Sequence, residues 1–119
     1  MFFFDTYAII EILKGNLSYY QYHHETTVTS ILNLGELYYY FFKESTKETA
    51  KAKIDNFKPN MVEFDQELMQ KAMLFRYTHK SKKLSMVDCV GYVLSQKLGI
   101  PFLTGDQAFE NMKGVEFVK

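Results

Sequence analysis

The sequence is poor in cysteine, proline and tryptophan: its 119 residues include one cysteine, Cys89, two prolines and no tryptophan. A single cysteine cannot close a disulfide within the chain, which excludes a disulfide-stapled miniprotein and gives no support for secretion. An excess of one charge is also lacking, since 14 basic and 14 acidic residues leave a formal net charge of zero. No whole-molecule field therefore attracts nucleic acid or an anionic membrane, and any site for a polyanion must come from a local patch of side chains.

Long apolar runs are absent as well. No stretch approaches the ~18 uninterrupted apolar residues of a membrane-spanning helix. The first residues, MFFFDTYAIIEILKG, are apolar but include Asp5 and Glu11 and have no leading lysine or arginine. This start is unlike a signal peptide. We therefore expect a cytoplasmic protein that has no membrane partner.

Apolar and aromatic residues are abundant. Hydrophobic residues make up 47% of the chain and aromatic residues 17%, a composition that does not fit a disordered protein. A chain of this length buries roughly two-thirds of its unfolded surface on folding, which is enough for one core. Residues 1–119 are therefore predicted to form a single domain.

Short strand patterns alternate with helical patterns along the chain. The apolar run Phe2–Phe4 predicts a strand that is buried on both faces. Further strands are predicted at 26–30, 61–64, 102–103 and 115–118, and helices at 6–13, 30–44, 47–57, 65–79, 85–98 and 106–111. Strands alternating with helices indicate βα units, and so an α/β fold with a mostly parallel sheet.

Four acidic residues lie near one edge of such a sheet, because loops that leave the carboxyl ends of parallel strands share that edge. Asp5 ends the first strand, and Asp106 follows the fourth. Asp88 lies in the first turn of the helix that leads into the fourth strand, and Glu36 lies in the helix after the second. Each aspartate alone can be explained as a helix cap, and Ser85 with Asp88 matches a capping box. If the four carboxylates converge, they repel one another unless some stay protonated or a cation neutralises them.

The position of Glu36 on its helix favours convergence. The core-facing stripe of this helix is predicted to consist of Ile31, Leu34, Tyr38 and Phe41. Glu36 points away from that stripe, beside Leu32, Tyr39 and Tyr40, which resemble the wall of a groove. The alternative is an ordinary surface glutamate with scattered apolar neighbours.

Oxygen-only ligands suit Mg²⁺ or Mn²⁺ rather than zinc. The cysteine and the three histidines lack partners at zinc-ligand spacing.

The segment 71–83 has no acid and ends just before Asp88, and its cations include Arg76, Lys80, Lys82 and Lys83. Cations that hold a nucleic-acid backbone beside a metal cluster are what a phosphodiester-cleaving site requires. The alternative is a solvated helix face followed by a lysine-rich loop.

Gly35 and the aromatic run after it are unusual for one helix. A glycine inside a helix costs about 1 kcal/mol relative to alanine, which close approach of another backbone or of substrate could explain. The run Tyr38–Phe42 spans more than one helical turn, so some rings must face outward. Tyr39 or Tyr40 is predicted to line a protein-binding surface.

The chain contains FFFDTYAIIEILKG, NLGELYYYF and SMVDCVGYVLSQKLGIPFLTGDQAF, the last followed by GVEFVK. These segments, with their four acids in order, resemble a PIN domain and in particular the VapC-like ribonuclease toxins of toxin–antitoxin systems. The resemblance covers essentially the whole chain, although Tyr7 stands where the family often has asparagine.

The resemblance implies a three-layer α/β/α fold and a Mg²⁺- or Mn²⁺-dependent endoribonuclease. It implies that the four acids, Asp5, Glu36, Asp88 and Asp106, hold metal and the attacking water, with Thr6 and Thr104 as supporting groups. It also implies an RNA substrate, a homodimer, and an antitoxin protein that covers the acidic groove, so that Tyr39 or Tyr40 would contact an antitoxin helix or a second copy of the chain.

Two alternative interpretations assign the chain to other functional classes. One is a catalytically inactive PIN-like module that binds RNA or protein, although a groove that only binds RNA has no use for uncompensated negative charge. The other is a phosphoacceptor receiver domain of the same layered class. A receiver domain would need paired acids after the first strand, whereas Asp5 is followed by Thr6.

Overall fold

A parallel five-stranded sheet organises the computed structural model, which describes residues 1–119. Its strands are β1 (Phe2–Phe4), β2 (Thr27–Thr29), β3 (Asn60–Met61), β4 (Phe102–Thr104) and β5 (Val115–Phe117). They lie in the order β3-β2-β1-β4-β5, and every neighbouring pair is parallel. From β1 the chain adds β2 and β3 on one side, and it then crosses to the other side of β1, where it adds β4 and β5. This reversal places the carboxyl ends of β1 and β4 side by side, the position at which open α/β sheets bind ligands.

Helices cover both faces of the sheet. The α-helices are α1 (Thr6–Leu13), α2 (Ile31–Glu44), α3 (Lys47–Phe57), α4 (Gln66–Thr78) and α5 (Met86–Leu98), and 3₁₀ helices occupy Leu17–His24, Lys80–Lys82 and Gln107–Phe109. One core lies between the sheet and α4 with α5, and the other lies between the sheet and α1, α2 and α3. The predicted three-layer α/β/α fold is confirmed.

Successive residues of β1 supply the two cores, because side chains alternate across a strand. Phe3 packs in the core beneath α5, and Phe4 packs in the core beneath α1. Gly91 lets α5 lie close to the sheet, since a Cβ there would be 3.0 Å from Phe3 and 3.1 Å from Phe102. The sheet is therefore held firmly at the strands that carry the acidic edge.

The structure corrects several boundaries. The strand predicted at 61–64 is only Asn60–Met61, and the helix predicted at 106–111 is the 3₁₀ helix Gln107–Phe109. Short edge elements depend on the neighbouring chain more than on their own pattern, which explains these differences.

The buried face of α2 also differs from the prediction. Asn33, Leu37 and Phe41 are its buried residues, whereas Ile31 is 63% exposed. The observed stripe is rotated from the expected one because the helix buries a polar residue, Asn33, where an apolar one was expected. As a result Glu36 borders the buried face instead of pointing away from it.

None of the helices is both long and apolar enough to cross a membrane.

Candidate functional site

Asp5 is the centre of the acidic edge. It caps α1, and its Oδ1 accepts a hydrogen bond from the Thr6 amide at 2.9 Å. Its Oδ2 accepts from the Thr104 hydroxyl at 2.7 Å, which ties the end of β1 to the end of β4. Thr104 is fully buried, and its hydroxyl also accepts from the Asp106 amide at 3.0 Å. Thr104 thus connects Asp5 and Asp106, two of the three aspartates predicted at this edge.

Glu36 is held by a directional chain of buried hydrogen bonds. The Ser30 hydroxyl donates to Asn33 Oδ1 at 2.7 Å, and the Asn33 amide donates to the Thr6 hydroxyl at 3.1 Å. The Thr6 hydroxyl then donates to Glu36 Oε1 at 2.7 Å. Each donor in this chain is used by the next acceptor, so the Thr6 hydroxyl proton points at Glu36 and Oε1 acts as the acceptor. Its second oxygen is left free of protein partners.

Asn33 and Ser30 are the residues of this network that sequence reasoning missed, and both are fully buried. The available signal was spacing: Asn33, Leu37 and Phe41 recur every four residues, and Ser30 caps α2 three residues before Asn33. A buried asparagine must find partners, so its presence on that face indicates a polar network beneath the acids.

Asp88 and Asp106 each have a capping role. Asp88 Oδ2 accepts from the Ser85 amide at 2.9 Å, which completes the predicted capping box at the start of α5. Asp106 Oδ1 accepts from the Ala108 amide at 3.0 Å. In both residues the other carboxylate oxygen makes no hydrogen bond within the protein. Capping therefore leaves one oxygen of each aspartate free.

The acids act on one another electrostatically. Burial raises the pKa of Asp5 to about 8, and the charges of Asp88 and Glu36 add to the rise, while bonds from Thr104 and Thr6 oppose it. Burial also raises the pKa of Glu36 and of Asp88, with a further increase from Asp88 on Glu36 and from Asp106 on Asp88. Asp88 is thus the carboxylate that interacts with all three others.

None of the four acids forms an ion pair with a protein cation. The three ion pairs of the chain involve Glu25, Glu11 and Glu67 instead. No three of the histidine, cysteine and acidic side chains come together as a preassembled metal-binding group. The donor set nevertheless fits Mg²⁺ or Mn²⁺: it consists of oxygens only, it is partly desolvated, and its mutual repulsion is of the kind that a divalent cation relieves. Side-chain rotation that brings the free oxygens together is opposed by the same repulsion until a cation is present.

Gly105 separates Thr104 from Asp106 and is covered by Tyr7, the residue at which the chain departs from the pattern it resembles. A Cβ on Gly105 would lie 2.7 Å from Tyr7 Cζ and would also collide with the Val118 carbonyl oxygen. Only glycine fits there, so Tyr7 packs on the backbone beside Asp106 without displacing an acid.

The basic segment borders two of the acids. The Arg76 charge lies near enough to Asp88 to oppose the rise in its pKa, which burial causes. Lys82 Nζ donates to the Ala108 carbonyl at 3.2 Å, within the same short helix that Asp106 caps. Lys80 and Lys83 line a cavity with Arg76.

The two tyrosines predicted at an interface differ in exposure. Tyr39 is 66% exposed, whereas Tyr40 is half-buried and packs edge-on against Phe41. Phe42, 46% exposed, and Ile31 extend the apolar surface of α2. Gly35 lies on the same exposed side with open space around it, so close approach of another part of this chain is not the reason for it.

Comparison with known proteins identifies the architecture. A family model of the PIN domain matches residues 2–115. No match was found among curated protein sequences. The fold is similar to that of VapC20 of Mycobacterium tuberculosis, a sarcin-ricin-loop-cleaving toxin, at a TM-score of 0.82 and 18% identity, with 100% of each chain covered.

Two complexes contain similar chains. One is VapBC2 of Rickettsia felis bound to a promoter DNA fragment, at a TM-score of 0.78 and 19% identity over 99% of this chain and 98% of that one. The other is a toxin–antitoxin complex from Klebsiella pneumoniae, at a TM-score of 0.75 and 17% identity over 98% of this chain and 96% of that one. At these identities the similarity concerns the fold.

Proposed function

The chain belongs to the PIN-domain family, and we propose that it is a Mg²⁺- or Mn²⁺-dependent endoribonuclease that serves as the VapC-like toxin of a toxin–antitoxin pair. The observation that carries the proposal is Asp5. It is 3% exposed, has a strongly raised pKa, and interacts with two further carboxylates without any protein cation. Burial and mutual repulsion of carboxylates cost stability, and carboxyl groups with such strongly raised pKa values cluster at functional sites.

In this proposal Asp5, Glu36, Asp88 and Asp106 hold the metal and orient the attacking water. Glu36, Asp88 and Asp106 would do so through their free oxygens, and Asp5 through the remaining lone pairs of its hydrogen-bonded oxygens. When bound, the cation polarises the scissile phosphate and lowers the pKa of water. Thr104 orients Asp5, and Thr6 orients Glu36, through the hydrogen bonds described above. Arg76, Lys80, Lys82 and Lys83 hold the RNA backbone beside the acids.

The proposed biological setting includes a protein partner. Similar chains occur in toxin–antitoxin complexes, and Tyr39, Phe42 and Ile31 give α2 an exposed apolar surface of the kind that marks interfaces. We therefore assign this surface to an antitoxin segment or to a second copy of the chain in a homodimer. The whole of residues 1–119 would act as one domain in the cytoplasm.

The test is induced expression of the wild-type chain beside Asp88→Asn, with recovered RNA examined for new ends. Wild type should arrest growth and create new RNA ends, and Asp88→Asn should do neither. Asp65→Asn is the matched control. Asp65 also caps a helix, α4, through the Leu68 amide, but it lies beside Lys97 in the last turn of α5, whereas Asp88 lies in the first turn. This control should behave as wild type.

Purified protein tests the metal requirement. Cleavage of RNA should require Mg²⁺ or Mn²⁺ and stop in excess EDTA. Undiminished cleavage in EDTA, or restoration by Zn²⁺ alone, would contradict the proposed chemistry. RNA binding without cleavage by wild type and Asp88→Asn alike would support the alternative, a catalytically inactive binding module.

A further inference from the structure

A cationic cavity lies between the end of α4 and the start of α5. Its volume is about 490 Å³, and it is lined by Met73, Arg76, Tyr77, Lys80, Lys83 and Leu84. Three of these six side chains are cationic and none is acidic. A cavity of this charge suits a phosphate-bearing ligand, and its volume is in the range of small-molecule sites.

Tyr77 gives the cavity an aromatic wall. The residue is 69% exposed, and Lys80 Nζ lies over one face of the ring, 5.1 Å from its centroid. An exposed ring beside cations is the arrangement by which proteins stack the bases of single-stranded nucleic acid while holding its backbone. Neither a metal nor an extended apolar peptide would use this combination.

Arg76 is oriented toward the acidic edge by its own hydrogen bond. Its Nε donates to the Leu84 carbonyl at 3.0 Å, and its guanidinium forms no ion pair. The terminal amino groups therefore remain available for bidentate contact with a phosphate. Leu84 immediately precedes Ser85, the cap of the helix that carries Asp88.

Lys83 has an unfavourable backbone conformation. Its φ is 56°, in the left-handed region that residues with a Cβ rarely adopt. Lys58 has the same conformation, with φ of 51°, but lines a different cavity. Lys83 takes this conformation where it ends the 3₁₀ helix Lys80–Lys82, as Lys58 does at the end of α3, and this position places its side chain at the rim of the cavity.

We propose that this cavity binds one nucleotide of single-stranded RNA next to the scissile phosphate, with its base stacked on Tyr77 and its phosphate held by Arg76 and Lys83. The inference rests on the proposed function for the identity of the substrate. It adds a recognition subsite outside the four acids and assigns a role to Tyr77. A protein with this subsite selects unpaired RNA, because a base within a duplex cannot reach the ring.

The test uses Tyr77→Trp as a fluorescent reporter, since the chain has no other tryptophan. Binding is measured in EDTA with a single-stranded RNA hexamer, so that cleavage does not interfere. Hexamer binding should quench the fluorescence of the introduced indole, and an abasic hexamer of the same charge should not. Tyr20→Trp is the control reporter, because Tyr20 is 66% exposed and lies outside the cavity. Its fluorescence should not change.

Loss of the ring should weaken binding of the hexamer. We expect at least about a fivefold increase in Kd for Tyr77→Ala and little change for Tyr77→Phe, as base stacking on an aromatic residue requires. Equal binding by both variants and the wild type would overturn the inference. Quenching of the Tyr77→Trp reporter by a hexaglutamate peptide but not by RNA would overturn it in favour of an acidic protein ligand.

Glycine variants separate the charge from the strain. Lys83→Gly and Lys58→Gly remove the same charge and relieve the same backbone conformation, so both should melt at least as high as wild type. Only Lys83→Gly should weaken RNA binding. An equal loss of RNA binding in the two variants would contradict a specific phosphate contact by Lys83, because its effect would then be that of net charge alone.

The inference and the proposed function can fail separately. RNA cleavage that is insensitive to Tyr77→Ala, with no quenching of the Tyr77→Trp reporter, would remove the subsite and leave the nuclease. Quenching and tight binding by a protein that never cleaves RNA would keep the subsite and remove the nuclease.

Discussion

Asp5 combines a helix cap with a buried, repelled carboxylate. The cap could be predicted from its place after β1, and asparagine would serve it about as well, because one amide oxygen can still accept from the Thr6 amide. The raised pKa belongs to the second property and arises from burial first and from Asp88 next. Substitution by asparagine therefore separates the two.

We expect Asp5→Asn to change how the stability of the metal-free protein depends on pH. The pKa of Asp5 has its ordinary value of 3.8 in the unfolded chain and rises to about 8 in the folded protein. Between these pH values the folded state therefore binds more protons than the unfolded state. Stability of the wild type should then fall as pH rises from about 4 to about 8, by up to several kcal/mol. The measurement is urea unfolding in EDTA across this range.

In the same experiment Asp5→Asn should lose most of this slope and should be the more stable protein at pH 8. It should also gain less stability from Mg²⁺ and cleave little RNA. Asp65→Asn provides the control, because Asp65 is exposed and its pKa is lowered chiefly by its bond from Leu68. A wild-type slope retained in Asp5→Asn would contradict the electrostatic account of the site.

Asn33 illustrates what a single sequence hides at the residue scale. Asp5, Asp88 and Asp106 could be assigned to the acidic edge because each follows a strand or lies in the first turn of a helix, and the fold class fixes where those positions lie. Glu36 lies inside α2, and its predicted orientation was wrong. The fold class predicts no role for the position of Asn33, since that role depends on contact with Thr6, 27 positions away in the sequence. Only the folded chain reveals that an asparagine on α2 orients a threonine on α1.

We predict that Asn33→Ala reduces RNA cleavage more than RNA binding. The substitution leaves the Thr6 hydroxyl free to turn away from Glu36 and removes the partner of Ser30. It should lower the free energy of unfolding by about 1–3 kcal/mol, the range for a lost buried partner. The informative readout is the Mg²⁺ concentration needed for half-maximal cleavage, which should rise. An unchanged Mg²⁺ requirement alongside the loss of stability would make Asn33 purely structural.

At the scale of elements, the sequence predicted helices more accurately than their orientation. Caps such as Ser30, Asp65 and Ser85 fix where helices begin, and these signals are local. The rotation of α2 is set by burial of Asn33 against α1, which local periodicity does not contain. The two-residue strand β3 was misplaced because its pairing with β2 defines it.

Two helical glycines should respond oppositely to alanine. A Cβ on Gly35 would meet nothing within 4 Å, so Gly35→Ala should stabilise the protein by about 1 kcal/mol through helix propensity. A Cβ on Gly91 would press against Phe3 and Phe102, so Gly91→Ala should destabilise it by about 1–3 kcal/mol. Urea unfolding of both variants checks this pair of signs. Destabilisation by Gly35→Ala would mean that α2 tolerates no side chain there even in the isolated chain.

At the scale of the whole molecule, alternation of elements predicted a parallel sheet but not its strand order. Neighbouring strands β1 and β4 are far apart in sequence, as the Thr104–Asp5 hydrogen bond across 99 positions shows. Pairing over such distances depends on the packing of both cores together. The order matters for function because it places the two strands that carry Asp5 and Asp106 side by side.

RNA binding should depend on salt through a local basic patch, because a chain with no net charge cannot attract RNA through its overall charge. Each lysine that neutralises one phosphate of a single strand contributes about 0.7 to the slope of log Kd against log salt. Lys82 lies beside the helix that Asp106 caps, so Lys82→Glu should lower the slope by at least that amount and weaken binding most at low salt. Lys51→Glu makes the same change at an exposed position of α3 and should leave the slope nearly unaltered. Equal slopes for the two variants would mean that RNA responds to overall charge, and the basic segment would then be an ordinary solvated loop.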